Sequence, residues 1–147
     1  MLDEHAAALL RFCAASVGPV DGDDVFQETV VAALRAYPPR RADNLKGWLF
    51  TIAHHKALDH HRARARRAIP ADGVEPAQTA PPPEPRDDAL WDAVHGLPPK
   101  QRGAVLLRFT GDLSHKEIAA ALGSSEDAAR RSLADGLAKL RQEWIPA

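Results

Sequence analysis

A proline-rich stretch near the middle of the chain most constrains its fold. Residues 68–86, AIPADGVEPAQTAPPPEPR, contain six prolines and no aromatic residue. Such a segment buries too little apolar surface to offset the entropy lost when it is ordered, so we expect a flexible linker there. The linker predicts two domains, residues 1–67 and 87–147, each small enough to be only marginally stable by itself.

Both predicted domains have the apolar spacing of α-helices. Apolar residues recur every three or four positions, and no stretch alternates as a half-buried strand would. Hydrophobic residues make up 45% of the chain but aromatic residues only 5%, which favours a core of Ala, Leu and Val. Helices are predicted over 3–16, 21–37, 87–95 and 99–109, with a further long helix capped by Asn44. We therefore predict an all-α protein of two small helical domains.

The segment 113–144 has the pattern of a helix-turn-helix. Ser114 and Glu117 have capping-box spacing at the start of one short helix. Gly123 suits the turn that follows, and Ser124 is the predicted cap of a longer second helix that carries arginines. Two helices joined in this way are typical of DNA-binding proteins, although an ordinary helical hairpin has the same local pattern.

Charge is sorted along the chain, although the total is only −1. Residues 1–30 carry a net charge of −5, and residues 31–67 carry +7. Residues 68–92 return to −5, and residues 93–147 carry +2. Blocks of opposite charge predict separate surfaces for separate partners, with nucleic acid suited to the basic block.

The cysteine content and the apolar runs of the sequence indicate a reducing compartment. Its single cysteine, Cys13, lies in an apolar run and is expected to be a small buried side chain. No apolar run has the length of a membrane span, and the first residues lack the pattern of a signal peptide. These observations predict a cytoplasmic protein without membrane insertion.

Four of the seven histidines lie in one short stretch, IAHHKALDHH, residues 52–61. None of the four has another histidine three or four residues away, which is the spacing that a helix-borne metal site requires. No serine or cysteine lies in a nucleophile motif, and no phosphate-binding loop is present. We therefore predict no metal site, no cofactor and no enzymatic activity.

The same helix continues into a run of arginines. Imidazoles beside arginines suit a surface that contacts bases while the cations hold phosphates. The simpler interpretation is an exposed, solvated basic face. A helix-turn-helix further along the chain favours nucleic acid, and we expect the histidines to lie on the exposed, DNA-facing side.

Three motifs in series resemble the small bacterial RNA polymerase sigma factors of the extracytoplasmic-function (ECF) group. DGDDVFQETVVAALRAYPP is similar to the acidic helix that binds a coiled coil of the β′ subunit. LKGWLFTIAHHKALDHHRARARR is similar to the helix that opens and reads the minus-ten promoter element. LPPKQRGAVLLRFTGDLSHKEIAAALGSSEDAARRSLADGLAKLR resembles the helix-turn-helix that reads the minus-thirty-five element.

The resemblance implies partners and site residues. The partners are core polymerase, through its β′ coiled coil and β flap, promoter DNA and an anti-sigma factor. The implied contacts are Asp24, Gln27 and Glu28 for polymerase, Lys46, His54, His55, Lys56, Asp59, His60 and Arg62 for minus-ten DNA, and Lys116, Ser124, Ser125, Arg130 and Arg131 for minus-thirty-five DNA.

Two alternatives belong to other classes of protein. A free-standing helix-turn-helix regulator would bind duplex DNA tightly alone, which the net charge of −1 argues against. A sigma-like interaction protein would bind polymerase without reading promoters. The acidic residues Glu126 and Asp127 favour this second alternative, because acids at a DNA surface lower affinity unless they accept from a base.

Overall fold

The computed structural model describes residues 2–37, 44–67 and 88–144, and the regular structure in these ranges is helical. The helices are α1 (Leu2–Val17), α2 (Pro19–Ala36), α3 (Leu45–Arg67), α4 (Asp88–His95), α5 (Pro99–Gly111), α6 (His115–Leu122) and α7 (Glu126–Trp144). The all-α prediction is confirmed. The predicted linker lies outside the described residues.

The first two helices meet at a single glycine. Gly18 has φ +96°, which L side chains rarely adopt, and Pro19 is the first residue of α2. Further on, α2 crosses α1 at Gly22, where a Cβ would lie 2.6 Å from the Cα of Ala14. Glycine is therefore what allows the two backbones to approach so closely.

Side-chain caps fix the starts of three helices. The Oδ1 of Asn44 accepts from the Gly47 amide (2.9 Å), so the predicted cap of α3 is confirmed. The Ser114–Glu117 capping box is also confirmed, with both of its hydrogen bonds present at the start of α6. The cap predicted at Ser124 is wrong, because the Oγ of Ser125 accepts from the amide of Ala128 (3.1 Å) instead.

The position of this last cap has a measurable consequence. Replacing Ser125 with Ala removes the acceptor for an amide in the first turn of α7, and we expect the free energy of unfolding to fall by about 1 kcal/mol. The Oγ of Ser124 donates only to the neighbouring Ser125 carbonyl (3.1 Å), so Ser124→Ala should have less than half that effect. Urea denaturation of the two variants checks this, and equal losses would contradict the assignment.

The two predicted domains share one hydrophobic cluster. Helices α1 and α3 pack against α5, and α3 also packs against α6. Phe12 and Phe50 meet edge to face with centroids 5.7 Å apart, and they belong to the same cluster as Leu106 and Leu107 of α5. The predicted boundaries at residues 67 and 87 remain a prediction, but helices from both sides of them form a common core.

Cys13 lies in this core and is fully buried. Burial raises the pKa of its thiol to about 12. A thiol that stays protonated in an apolar environment is a poor nucleophile. The prediction that Cys13 is a small buried side chain is confirmed.

Candidate nucleic-acid interface

The predicted polymerase-binding residues lie on an exposed side of α2. Asp24, Gln27 and Glu28 are exposed and line an open groove of about 490 Å³ between α2 and α3. Val31 is 45% exposed in the same groove, and Lys56 of α3 forms part of its wall. The structure therefore brings Lys56 together with the acidic residues of α2, which the sequence pattern did not suggest.

The histidines of α3 lie in different environments. His55 is exposed, and Asp59, Arg62 and Arg66 follow it at spacings that keep them on one side of the helix. Arg62 lies 3.6 Å from the carboxylate of Asp59, an exposed ion pair worth little to stability. We call these four residues, His55, Asp59, Arg62 and Arg66, the α3 stripe.

His60 is held against α2. Its Nε2 lies 3.2 Å from the Oδ2 of Asp21, and Arg64 donates to the same carboxylate oxygen at 3.0 Å. The side chain of His60 is 18% exposed, whereas that of Arg64 is 63% exposed. Asp21 thus joins the second half of α3 to the start of α2.

His54 corrects the expectation that all four histidines lie on the exposed side. It is 6% exposed and lies against α5, where a Cβ on Gly103 would be 2.9 Å from its Cε1. Burial lowers the pKa of His54 to about 4, helped by the charges of His55, Arg102 and His61. The expectation failed because this part of α3 lies between α1 and α5, where His54 lines one small cavity together with Ser16 of α1 and Gly103 of α5.

The start of α3 is covered by the turn between α5 and α6. Lys46 donates from Nζ to the carbonyl oxygen of Asp112 (3.0 Å). Asn44 donates from Nδ2 to the Oε2 of Glu117 (2.5 Å), whose other oxygen completes the capping box. Burial raises the pKa of Glu117, but hydrogen bonds from Ser114 and Asn44 outweigh it and leave that pKa below its ordinary value.

This contact was not predicted from the sequence. Asn44 and Glu117 are 73 positions apart, and each was already explained as a local helix cap. The sequence also did not predict the close packing of neighbouring side chains at Gly103 and Gly111, since a glycine within a helix can have several structural roles. Only the arrangement of helices shows that His54, a predicted DNA-binding residue, is buried, and that Lys46, another, is half-buried and bonded to Asp112.

The predicted minus-thirty-five residues lie at the start of α6, in the turn after it and in the first two turns of α7. Lys116, Ser125, Arg130 and Arg131 are exposed, and Ser124 is half-buried. Arg130 forms an ion pair with the Glu126 carboxylate at 2.7 Å. This pair partly neutralises the surface that would face DNA and leaves Arg131 as its exposed neighbour.

The described residues form neither a metal cluster nor a membrane span. In the described ranges, no three His, Cys, Asp or Glu side chains come together as a metal site would require. The helices seen in those same ranges are too short or too polar to cross a membrane.

Two sequence families match the chain. The Sigma-70 region 2 family matches residues 1–67, and the Sigma-70 region 4 family matches residues 87–140. Together these matches leave out the proline-rich segment and the last few residues. Their order along the chain agrees with the order of the motifs.

Individual relatives agree with these families. The chain is 34% identical to the ECF RNA polymerase sigma factor SigD of Mycobacterium tuberculosis, over 100% of this chain and 76% of the relative. It is 30% identical to the RNA polymerase sigma-E factor of Streptomyces coelicolor, over 94% of this chain and 80% of the relative.

A solved structure has a similar fold. The sigma factor RpoE of Bartonella quintana, solved with the anti-sigma factor NepR, superposes with a TM-score of 0.80 at 24% identity. The match covers 99% of this chain and 96% of RpoE. With both family regions present in order and a relative that matches the full length of this chain, the chain belongs to the ECF group of sigma-70 RNA polymerase sigma factors.

Proposed function

We propose that this sigma factor binds core polymerase through α2 and promoter DNA through α3 and α7, in the cytoplasm and without catalytic activity of its own. One observation carries the assignment of surfaces. The groove beside α2, the α3 stripe and the start of α7 all face solvent, whereas other parts of α3 pack against α1, α2, α5 and α6.

The α2 groove suits a helical partner with basic and apolar side chains. Asp24 and Glu28 provide negative charge, while Val31 and Leu34 are exposed apolar side chains on the same helix. Leu34 is 59% exposed and lies three residues after Val31, so the two add apolar surface to the same side of α2. This combination supports binding to the β′ coiled coil of polymerase.

Promoter contact is divided between two helices. The α3 stripe offers an imidazole and two guanidinium groups to the minus-ten strand, and α7 offers Arg130 and Arg131 to the minus-thirty-five duplex. Lys116, at the start of α6, would contact the phosphate backbone, and Ser124 and Ser125, in the turn after α6, would lie next to the bases read by α7. The β flap would bind the C-terminal helices.

The covered part of α3 suggests how promoter binding is regulated. His54 would reach DNA only when α5 moves away, and Lys46 would first have to leave the Asp112 carbonyl, so we call the arrangement in this structure closed. RpoE of Bartonella quintana was solved with an anti-sigma factor, and we propose a regulator of the same class for this chain.

Run-off transcription tests the proposal. Core polymerase with this chain should produce specific transcripts from a pool of genomic promoter fragments. Changing both Asp24 and Glu28 to Lys should weaken polymerase binding at least about tenfold, equivalent to ~1.4 kcal/mol, because cations would replace both carboxylates of a groove that Arg35 and Lys56 also line. Glu4→Lys is the matched control, since Glu4 is an exposed acid on α1.

A second pair of variants separates DNA contact from polymerase contact. Arg62→Ala should lose specific transcripts while keeping polymerase binding, whereas Arg11→Ala, an exposed arginine on α1, should keep both. Polymerase binding without any transcript would favour the interaction-protein alternative. Absence of polymerase binding by the unmodified chain would overturn the proposal.

A further inference from the structure

The start of α3 and the start of α6 share one carboxylate. One oxygen of Glu117 accepts from the Ser114 amide (2.7 Å) and completes the capping box of α6. The other oxygen accepts from the Nδ2 of Asn44 (2.5 Å), whose own Oδ1 caps α3 by accepting from the Gly47 amide (2.9 Å). We call these four residues, Asn44, Gly47, Ser114 and Glu117, the cap bridge. A single carboxylate therefore joins a helix cap of the N-terminal half to a helix cap of the C-terminal half.

A second polar contact between the halves lies beside the cap bridge. Lys46, two residues after Asn44, donates to the carbonyl oxygen of Asp112 (3.0 Å). Asp112 has φ +54° and ends α5, and its amide donates to the carbonyl oxygen of Leu107. The turn that presents this acceptor to Lys46 is therefore fixed by bonds within the C-terminal half.

The arrangement held by these contacts cannot reach both promoter elements at once. Helix α6 packs against both α3 and α7, so the two DNA-binding helices lie on either side of one short helix. The 23 residues of α3 make a helix only about 35 Å long. The minus-ten and minus-thirty-five elements are about 25 base steps apart, which is roughly 85 Å of duplex at 3.4 Å per step. To contact both elements, the chain must open the contact between α3 and α6.

We infer that the cap bridge is an autoinhibitory latch, in which the Glu117 carboxylate holds α6 on the start of α3 and keeps the two DNA-binding helices too close together for a promoter. This inference rests on the proposed function, because it concerns access to the same DNA-binding surfaces. The shared apolar core around Phe12 and Phe50 makes the closed arrangement the prevailing one, and the cap bridge sets how readily it opens.

The cap bridge can open without unfolding either helix. When α3 and α6 separate, Asn44 still accepts from the Gly47 amide, and Glu117 still accepts from the Ser114 amide. Only the bond between the two side chains is exchanged for bonds to water. The two caps therefore preserve their helices while the contact between the halves is broken, as a reversible latch requires.

Asn44→Asp breaks the cap bridge and keeps the cap of α3. Aspartate is as good an N-cap as asparagine, so one oxygen at position 44 still accepts from the Gly47 amide. The second oxygen now faces the Glu117 carboxylate, and like charges repel each other. We expect the equilibrium constant for opening to rise about tenfold, because a hydrogen bond to a charged group is replaced by repulsion.

Glu117→Gln in the same chain should restore the closed arrangement. Glutamine also completes a capping box, so its oxygen can accept from the Ser114 amide while its nitrogen donates to the carboxylate at position 44. The double variant should open within about twofold of the unmodified chain. The matched control adds Glu4→Gln to Asn44→Asp. Glu4 is an exposed acid on α1, and its replacement should give no rescue.

The reaction of His54 with diethyl pyrocarbonate measures opening without DNA or polymerase. His54 is 6% exposed and lies against Gly103 of α5, so its ring becomes accessible when α5 moves away. His55 is exposed on the same helix and gives the rate for an accessible imidazole. Mass spectrometry of the full chain's fragments gives both rates. The His54 rate should rise about tenfold in Asn44→Asp and return in the double variant.

The dependence of this rate on urea separates opening from unfolding. Separation of the halves exposes less surface than unfolding, so the His54 rate should increase less steeply with urea than the unfolded fraction does. Equal urea dependences would mean that His54 reacts only in the unfolded chain and would overturn the inference. An unchanged His54 rate in Asn44→Asp, or no rescue by Glu117→Gln, would also overturn it.

Run-off transcription at limiting amounts of the chain tests the autoinhibitory role. Asn44→Asp should reach half-maximal transcription at a concentration about tenfold lower, because a larger fraction of the chain is competent to bind. A raised His54 rate with an unchanged half-maximal concentration would show that the cap bridge does not limit promoter recognition. The absence of transcripts with the unmodified chain would contradict the proposed function, whereas the His54 rates would still decide whether the cap bridge holds the halves together.

Discussion

Replacing Phe50 with Ala should lower the free energy of unfolding by about 4 kcal/mol. Phe50 is fully buried and contacts Phe12 of α1 edge to face. On its other side it meets α5, where a Cβ on Gly111 would be 2.7 Å from its ring. Removing the ring would leave a cavity where the two halves meet. The surrounding helices are closely packed, so they cannot move inward to fill this cavity.

Urea denaturation measures this effect, and Phe109→Ala is its matched control. Phe109 is 65% exposed at the end of α5, so its removal should change stability by less than about 0.5 kcal/mol. Because Phe50 contacts both halves, the wild-type chain should unfold in one transition that shifts as a whole in the variant. Two separate transitions, with only the first affected, would show that the halves do not share a cooperative core.

Acidification should destabilise the protein through His54. The pKa of His54 is lowered by burial from 6.5 to about 4, so the unfolded chain takes up a proton between these values and the folded chain does not. Stability from this residue is therefore complete above about pH 6.5 and is lost as the pH falls to about 4. The loss amounts to about 3 kcal/mol in total, from the shift in pKa.

Two variants separate the contribution of His54 to the pH dependence of stability from the contribution of the carboxylates, which titrate in the same range. In His54→Gln the fall in stability between about pH 7 and about pH 4 should be smaller than in the wild type, because no imidazole remains to be protonated. His115→Gln is the matched control, since it also removes one imidazole, but at a position on α6 that does not contribute to the lowered pKa of His54. Equal slopes in all three proteins would exclude His54 as the cause.

Some of these features were accessible from the sequence alone. The cap at Asn44 and the capping box at Ser114 and Glu117 depend on hydrogen bonds within one turn, so a short stretch of sequence contains all the required information. Ser125 was missed in favour of Ser124 because adjacent serines offer the same side chain. Geometry at the turn decides which one caps α7.

The environments of the histidines were only partly predictable from the sequence. Helical spacing places His55 and Arg62 on one side of α3, and both are exposed in the structure. Helical spacing gave no reason to expect that His54 is buried while these two are exposed, because a polar residue beside a basic run is expected to face water. His54 is buried because Gly103 lets the backbone of α5 lie directly against its ring.

The sequence by itself determined the helices, most of their caps and the family to which the chain belongs, since these depend on local hydrogen bonding and on motifs of fixed spacing. Tertiary structure alone decided which faces of those helices are available. The bond between Asn44 and Glu117, the contact of Lys46 with Asp112 and the cavity beside Arg102 join residues far apart in the chain. Such contacts depend on how whole helices pack together, and the order of residues within a single helix does not specify that packing.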